Sequence, residues 1–272
     1  MDNEKSSIKL IATDMDGTFL DDNKDFDSEL FQKVISQLNT KDIKFVIASG
    51  NQYQHLVDIF NDSNNKFSYI ADNGAVVIDQ GKIIAQKFIS LNDVHKSLDL
   101  LKNTVGLQNG LIVLSGEESA YIEKDAPKEF IEEGQKYYRK LTSVESLYDV
   151  QDKIYKIALA WPDQNVRPQE AILKANLTNL HITSSGFGGI DIISEGVNKG
   201  NAISVLQKHM NLNNSQLVAF GDSDNDLELL EHCQQSYAMK NANEIIKKTA
   251  KYHTNWDNND NGVLKTIELL VK

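Results

Sequence analysis

The sequence predicts an α/β fold, and three observations lead to this prediction. Short apolar runs typical of buried strands alternate along the chain with stretches whose apolar residues recur at helical spacing. Several of the apolar runs end directly in a polar cluster, which is where open α/β sheets bind their ligands. The chain has 272 residues, 40% of them hydrophobic and 25% charged, so it can bury a core for one large domain or two smaller ones.

The first part of the chain alternates strand and helix signals. The helix after the first strand is expected to have Ser28 as its N-cap. Asn73-Gly74 lies between two apolar runs and is typical of a hairpin turn. The predicted strands cover 8–12, 44–48, 69–71 and 75–78, and helical spacing is found at 30–38 and 56–60.

The middle of the chain, from about residue 82 to residue 188, has a different order of elements. Pro127 and Pro168 stand in the first turns of two predicted helices, where a missing N–H costs little. The predicted strands lie near 83–89, 110–114, 119–123, 154–161 and 179–184, and the predicted helices near 92–103, 127–139 and 167–177. Gly186-Phe187-Gly188-Gly189 then predicts a flexible joint.

The last part of the chain returns to alternation. Strands are predicted at 190–193 and 217–220, and helices at 201–210, 225–232 and 263–271. The acidic and asparagine-rich runs at 21–29 and 255–261 are interpreted as solvated loops.

Charge and composition restrict the partners. Lys and Arg number 28 against 39 Asp and Glu, which gives a net charge of −11 and disfavours nucleic acid and anionic membranes as partners. Cys233 is the single cysteine, so no intrachain disulfide can form and a reducing compartment is expected. No run resembles a signal peptide or reaches the roughly 18 apolar residues of a membrane span. We therefore expect a cytoplasmic protein.

The motif Asp14-Met15-Asp16-Gly17-Thr18 follows the first predicted strand directly. Gly17 permits a sharp turn, so both aspartates are expected at the carboxyl end of the strand. An aspartate there can attack an electrophile or hold a divalent cation such as Mg²⁺. The alternative interpretation is an ordinary surface turn, since Asp-Gly is a common turn former.

Ser49-Gly50-Asn51 follows the predicted strand 44–48 and precedes a helix. A hydroxyl group and free backbone N–H groups at this position can bind a phosphate, although an ordinary N-cap has the same appearance.

Two later clusters are also polar. Lys199-Gly200 opens a helix, where a lysine is unfavourable unless an anion lies nearby, but a solvated surface lysine is the commoner explanation. The segment 221–226 places three aspartates and an asparagine after the strand 217–220. Metal, hydrogen bonds or solvent must relieve the repulsion among these carboxylates.

Together the clusters resemble the haloacid dehalogenase superfamily of aspartate-dependent phosphohydrolases, whose four motifs occur here in the family's order. The matching residues are Asp14-x-Asp16-Gly17-Thr18, Ser49, Lys199 and Gly221-Asp222-x-x-Asn225-Asp226. The long insert between the second and third motifs resembles the cap of the Cof-type subgroup. Segments 13–20, 48–53 and 185–188 are similar to the bacterial sugar phosphatases of that subgroup, which share Asn51 where many Cof-type members have arginine.

The resemblance implies a Rossmann-like parallel sheet core with helices on both faces and an inserted α+β cap. It places the core at 1–84 and 189–272 and the cap at 85–188.

The resemblance also implies roles for the motif residues. Asp14 would be the nucleophile that forms an aspartyl-phosphate, and Asp16 the general acid and then the general base. Mg²⁺ would bind the carboxylate of Asp14, the backbone carbonyl of Asp16 and Asp222. Asp226 would orient a metal-bound water or Lys199 from behind. The groups implied to hold the phosphoryl oxygens are Ser49, the N–H groups of Gly50 and Asn51, Lys199 and Asn225.

The implied function is Mg²⁺-dependent hydrolysis of small sugar phosphates, with the cap closing over the core. Tyr121, Tyr138 and Phe187 are candidate substrate contacts, although aromatic residues in a small domain are more often part of its core. A phosphomutase on the same core, or a phosphatase for pyridoxal phosphate or flavin mononucleotide, is the alternative. A receiver-type signalling domain is disfavoured. In receiver domains the phosphoacceptor aspartate lies on a later strand than the acidic pair, whereas Asp14 and Asp16 here are only two residues apart. The sequence predicts no oligomeric state.

Overall fold

The computed structural model describes residues 8–62, 64–161, 165–186 and 188–272, and its strands form two sheets. In chain order the strands are β1 (Leu10–Thr13), β2 (Lys44–Ala48), β3 (Ser68–Ala71), β4 (Val76–Asp79), β5 (Lys82–Gln86), β6 (Leu111–Gly116), β7 (Ala120–Glu123), β8 (Leu141–Val144), β9 (Ile154–Ala160), β10 (Leu180–Gly186), β11 (Gly189–Ser194), β12 (Leu217–Gly221), β13 (Gln235–Ala238) and β14 (Tyr252–His253). The α-helices are α1 (Ser28–Thr40), α2 (Tyr53–Phe60), α3 (Leu91–Asn103), α4 (Lys128–Tyr137), α5 (Arg167–Asn176), α6 (Lys199–His209), α7 (Leu227–His232), α8 (Glu244–Thr249) and α9 (Gly262–Leu270). No helix within the described ranges is long and apolar enough to cross a membrane.

The eight-stranded sheet has the order β14-β13-β12-β1-β2-β3-β4-β5 and is formed by the two ends of the chain. Neighbours from β14 to β3 run parallel, whereas β4 and β5 run antiparallel to the strands beside them. The α/β prediction is confirmed, but the sheet is mixed. The connection between β3 and β4 is too short for the crossover that parallel strands require.

The six-stranded sheet has the order β10-β11-β9-β6-β7-β8 and comes from the middle of the chain. Here the structure differs from the sequence interpretation, because β11 pairs with β9 and β10 instead of joining the large sheet. Gly186 and Gly189 pair across the β10–β11 hairpin, so this glycine-rich segment connects two strands of one sheet and is not a joint between domains. We therefore propose that the inserted domain begins after Gln86 and ends at Ser194, instead of spanning 85–188.

Other differences concern short elements. The N-cap of α1 is Asp27 and not Ser28, because Asp27 is extended and its side chain accepts a hydrogen bond from the backbone N–H of Leu30. The sequence interpretation missed β8, β13, β14 and α8. These elements have two to six residues, too few for a hydrophobic period to be visible.

The central strands explain the clearest sequence signal. Every residue of β1 and of β12 is buried, which is why both appear as continuous apolar runs. Phe19 then secures the chain after the first motif, since its ring centroid lies 5.6 Å from that of Phe31 and 5.5 Å from that of Phe60. The residues between β1 and Phe19 are thus fixed at both ends.

Candidate active site

Three motif segments meet at one edge of the large sheet. β1 lies between β2 and β12, with Thr13 in register with Ile47 and Phe220. Because the three strands are parallel, the residues that follow them come together at their carboxyl ends. The backbone N–H of Asp14 donates to the carbonyl of Phe220 at 3.1 Å, which attaches the first motif to β12.

Lys199 connects two of the buried carboxylates. It is the first residue of α6, is fully buried, and places Nζ 2.5 Å from Oδ1 of Asp14 and 2.6 Å from Oδ1 of Asp226. Burial alone would lower the pKa of Lys199, but the two carboxylates outweigh it and raise the pKa above its ordinary value. The side chain is therefore an ammonium ion, and the two carboxylates offset its unfavourable position at a helix N-terminus.

Asp222 and Asp226 follow β12. Asp226 Oδ2 accepts hydrogen bonds from the backbone N–H groups of Asp222, at 3.0 Å, and Ser223, at 3.2 Å. Thr18 Oγ1 donates to Asp222 Oδ1 at 2.7 Å. These contacts fix the last motif against the first.

Carboxylate oxygens of Asp14, Asp222 and Asp226 lie within 4.8 Å of one another. Burial, reinforced by the charge of Asp226, raises the pKa of Asp222 to about 7 and that of Asp14 well above its ordinary value. Crowded, desolvated oxygen ligands of this kind suit a hard divalent cation, which would relieve their repulsion. The residues present therefore fit Mg²⁺. The carboxylate of Asp16 is not in this group.

The Asp16 carboxylate is held by a different set of side chains. Its Oδ1 accepts a hydrogen bond from Lys24 Nζ at 2.6 Å, and its Oδ2 accepts one from Asn51 Nδ2 at 3.2 Å. Burial lowers the pKa of Lys24, but the hydrogen bond and charge of Asp16 raise it overall. Sequence reasoning missed Lys24 because it lies in the acidic run 21–29, which resembles a solvated loop. A lone cation in that run was the available signal.

The proposed phosphate-binding residues other than Lys199 line a cavity. Ser49 is buried, and its Oγ accepts a hydrogen bond from the N–H of Asn51 at 3.1 Å. Asn225 Nδ2 donates to Asn73 Oδ1 at 3.1 Å. Ser49, Gly50, Asn51, Asn225, Asp14 and Asp16 all line the cavity. Lys199 touches Asp14 from behind.

The cavity measures about 390 Å³ and lies between the two sheets. Its far wall belongs to the inserted domain and combines apolar residues such as Val113, Phe130 and Leu159 with Lys156 and Asp191. Sequence reasoning missed both of these charged residues, since each lies within an apolar strand.

The three aromatic residues suggested as substrate contacts differ in their position. Tyr138 lines the cavity, whereas Tyr121 donates a hydrogen bond to Asp152 at 3.0 Å and is not part of the cavity wall. Phe187 lies outside the described residues.

Comparisons with known proteins agree along nearly the whole chain. The family model for haloacid dehalogenase-like hydrolases matches residues 11–267. The 5-amino-6-(5-phospho-D-ribitylamino)uracil phosphatase YbjI of Escherichia coli (strain K12) is 33% identical over 267 residues, 98% of this chain and 97% of that protein. The phosphatase YcsE of Bacillus subtilis (strain 168), named for the same substrate, is 25% identical and covers 97% of this chain and 96% of its own. The crystal structure of SMU.1108c from Streptococcus mutans UA159 has a TM-score of 0.91 at 32% identity, covering 97% of this chain and 98% of that one.

Proposed function

Because the chain belongs to the haloacid dehalogenase-like hydrolases and is a phosphatase, we propose that it hydrolyses phosphomonoesters of small sugars and sugar alcohols through an aspartyl-phosphate on Asp14. One observation carries the proposal. Asp14 lines the cavity while Lys199 holds its Oδ1, which leaves Oδ2 to attack phosphorus.

In the first step Oδ2 of Asp14 forms a bond to phosphorus as the bond to the leaving alcohol breaks. Asp16 lines the same cavity and gives a proton to the leaving oxygen. In the second step Asp16 takes a proton from a water molecule whose oxygen forms a bond to phosphorus. The bond between Oδ2 of Asp14 and phosphorus breaks, which releases inorganic phosphate and restores the Asp14 carboxylate. Lys24 and Asn51 keep the Asp16 carboxyl in place for both transfers.

The phosphoryl oxygens would be held by the hydroxyl group of Ser49, the N–H groups of Gly50 and Asn51, and the amide of Asn225. Fixed donors of this kind stabilise the charge that develops during phosphoryl transfer. Lys199 acts from behind Asp14, where its charge stabilises the Asp14 carboxylate before attack and again when the bond between Asp14 and phosphorus breaks.

We propose Mg²⁺ as the cofactor, held by the carboxylates of Asp14 and Asp222 and by the backbone carbonyl of Asp16. When bound, Mg²⁺ neutralises the charge of the phosphoryl group. Asp226 stays behind the ligands, since its two oxygens already contact Lys199 and two backbone N–H groups.

The second candidate substrate is a phosphorylated ribityl chain attached to a pyrimidine ring, the compound for which YbjI is named. The observation that favours it is the apolar wall that includes Val113, Phe130 and Leu159, which can pack against a flat ring. Its ribityl part is itself derived from a sugar alcohol, so this candidate extends the first substrate class by a linked ring.

The test is phosphate release from a panel of phosphomonoesters with purified protein and Mg²⁺, with the Asp14→Asn variant as the inactive control. We expect hydrolysis of several five- and six-carbon sugar phosphates and of the ribitylaminouracil phosphate. Activity confined to nucleotides or phosphoproteins would contradict the substrate class. Turnover that requires a sugar bisphosphate and releases no phosphate would indicate a phosphomutase.

A further inference from the structure

Lys156 and Asp191 form a buried ion pair in the inserted domain that the catalytic steps do not use. They lie on the neighbouring strands β9 and β11, and Lys156 Nζ is 3.3 Å from Asp191 Oδ2. The side chains are 6% and 4% exposed, yet both residues line the cavity. A buried pair of this kind is costly to desolvate unless further hydrogen bonds satisfy it.

The pair is attached to the opposite side of the cavity. Lys156 Nζ donates to the backbone carbonyl of Gly50 at 2.6 Å. Asp191 Oδ2 accepts a hydrogen bond from Asn73 Nδ2 at 2.6 Å, and Asn73 Oδ1 in turn accepts one from Asn225. Both members of the pair therefore connect directly or through one residue to the groups proposed to hold the phosphate. These contacts would fix the position of the pair relative to a bound phosphoryl group.

The pair keeps unused hydrogen-bonding capacity beside the cavity. An ammonium has three N–H donors, and the contacts of Lys156 with other described residues use two of them. Among the described residues, both hydrogen bonds to the Asp191 carboxylate go to Oδ2, which leaves Oδ1 for a substrate hydroxyl group. One donor and one acceptor, side by side, match two neighbouring hydroxyl groups of a carbohydrate.

We propose that Lys156 and Asp191 are the specificity-determining pair that recognises adjacent hydroxyl groups of the leaving sugar or sugar alcohol, an inference that rests on the proposed function. One hydroxyl oxygen accepts from Lys156, and the neighbouring hydroxyl donates to Asp191. The same pair joins the inserted domain to the phosphate-binding residues, so substrate hydroxyl groups are recognised where the two domains meet. A phosphate ester without hydroxyl groups leaves the pair unsatisfied and is disfavoured.

The test compares D-ribitol 5-phosphate with n-pentyl phosphate, which has the same carbon chain and no hydroxyl groups. In Asp191→Asn, whose shape is nearly unchanged, we expect kcat/KM for ribitol phosphate to fall about tenfold or more. The value for pentyl phosphate should fall by a clearly smaller factor, because this ester loses only the support that the pair gives to the phosphate-binding residues and loses no hydroxyl contact. Lys156→Met should also lower the value for ribitol phosphate more than the value for pentyl phosphate, although both esters lose the hydrogen bond from Lys156 to the Gly50 carbonyl.

Lys153→Met is the matched control, since Lys153 is an exposed lysine of the same domain that pairs with Glu117. It should leave the ratio of the two kcat/KM values unchanged. Thermal unfolding verifies that each variant is folded, and Asp191→Asn decides the question if Lys156→Met does not fold.

If Asp191→Asn lowers kcat/KM equally for both esters, the pair does not recognise hydroxyl groups and only connects the two domains. This result would overturn the proposal. Equal use of both esters by wild type would also overturn it, with the phosphatase assignment intact. Hydrolysis of neither ester by the wild-type enzyme, with other phosphomonoesters still cleaved, would refute the sugar class itself.

Discussion

Asp14 lies in a buried cluster of negative charge, which raises its pKa well above the ordinary value. Burial raises its pKa most, and the charges of Asp226 and Asp222 raise it further, while Lys199 lowers it. The residue that is proposed to react thus lies in a cluster that a cation would stabilise. Such clustering of shifted pKa values is typical of functional sites.

Replacing Asp14 by Asn should lower turnover by about a thousandfold or more, because the amide cannot attack phosphorus. Folding should be retained, since the substitution is nearly isosteric and Lys199 keeps its contact with Asp226. Phosphate release and thermal unfolding measured on the same preparation check both statements. Substantial residual hydrolysis would exclude Asp14 as the nucleophile.

Asp72 lies where the two domains meet and gives a pH-dependent prediction that is independent of metal. It is buried, and its Oδ1 accepts a hydrogen bond from Ser115 Oγ of β6 at 2.7 Å. Burial raises its pKa from 3.8 to about 6. Because the folded-state pKa is the higher one, Asp72 contributes stability below 3.8, and this contribution is lost as the pH rises through about 6.

The Asp72→Asn variant cannot ionise and can still accept from Ser115. It should therefore be more stable than wild type by about 3 kcal/mol at pH values of about 7 and above, and the difference should vanish towards about pH 4. Denaturant unfolding at the two ends of this range measures it. A difference that does not vary with pH would show that Asp72 does not titrate in this range.

At the scale of an element, the turn after β1 depends on a glycine. Gly17 has a φ of +80°, and a Cβ built there would lie 2.7 Å from Asp222 Oδ2. Both the backbone conformation and the close approach of Asp222 therefore exclude a side chain. The turn fixes the distance between the first and last motifs.

Gly17→Ala should lower the free energy of unfolding by about 1 kcal/mol, because alanine is strained at this positive φ. It should also lower kcat/KM by about a hundredfold, because the added methyl group displaces the Asp222 carboxylate. Gly196→Ala is the matched control. Gly196 has a φ of +73°, but its nearest neighbour would be Lys87 Nζ at 3.9 Å. It should lose similar stability and keep its activity. Equal activity in both variants would disprove the role of the Asp222 contact.

At the scale of the whole molecule, the cavity between the two sheets separates two tasks. The large sheet supplies the groups proposed for the phosphoryl chemistry, and the inserted domain supplies the opposite wall, which we propose faces the leaving group. Chemistry and specificity should therefore respond to different changes.

Chelation should remove activity, and Mg²⁺ should restore it better than Ca²⁺. Ca²⁺ binds more ligands than Mg²⁺ and at longer distances, so it would not reproduce the octahedral arrangement that Mg²⁺ prefers. Phosphate release in excess chelator, followed by titration with either ion, is the measurement. Full activity in chelator would show that the aspartate cluster serves no metal.

Tyr138→Ala should change the order in which sugar phosphates are preferred, because Tyr138 lines the cavity. Tyr121→Ala should leave that order unchanged, since Tyr121 binds Asp152 away from the cavity. Relative kcat/KM values over the same substrate panel distinguish the two variants. An unchanged order in Tyr138→Ala would place specificity elsewhere in the wall.

The sequence by itself determined the α/β fold class, the family and the enzyme class, a phosphatase. It could do so because the motif residues directly follow apolar strands, and parallel pairing brings the ends of such strands together. Asp14, Ser49 and Asp222 are examples: each comes right after a buried run, so local sequence already indicates where it lies. Their individual roles stay predictions.

Only the tertiary structure decided that Lys24 holds Asp16, that β11 joins the inserted sheet, and that Lys156 and Asp191 meet at the cavity. These arrangements depend on pairings between distant segments, such as Asp191 with Ala158, that leave no local period in the sequence. A charged residue within an apolar strand looks the same in sequence whether it faces solvent or a cavity. The neighbours contributed by the other strands and by the other domain make the difference.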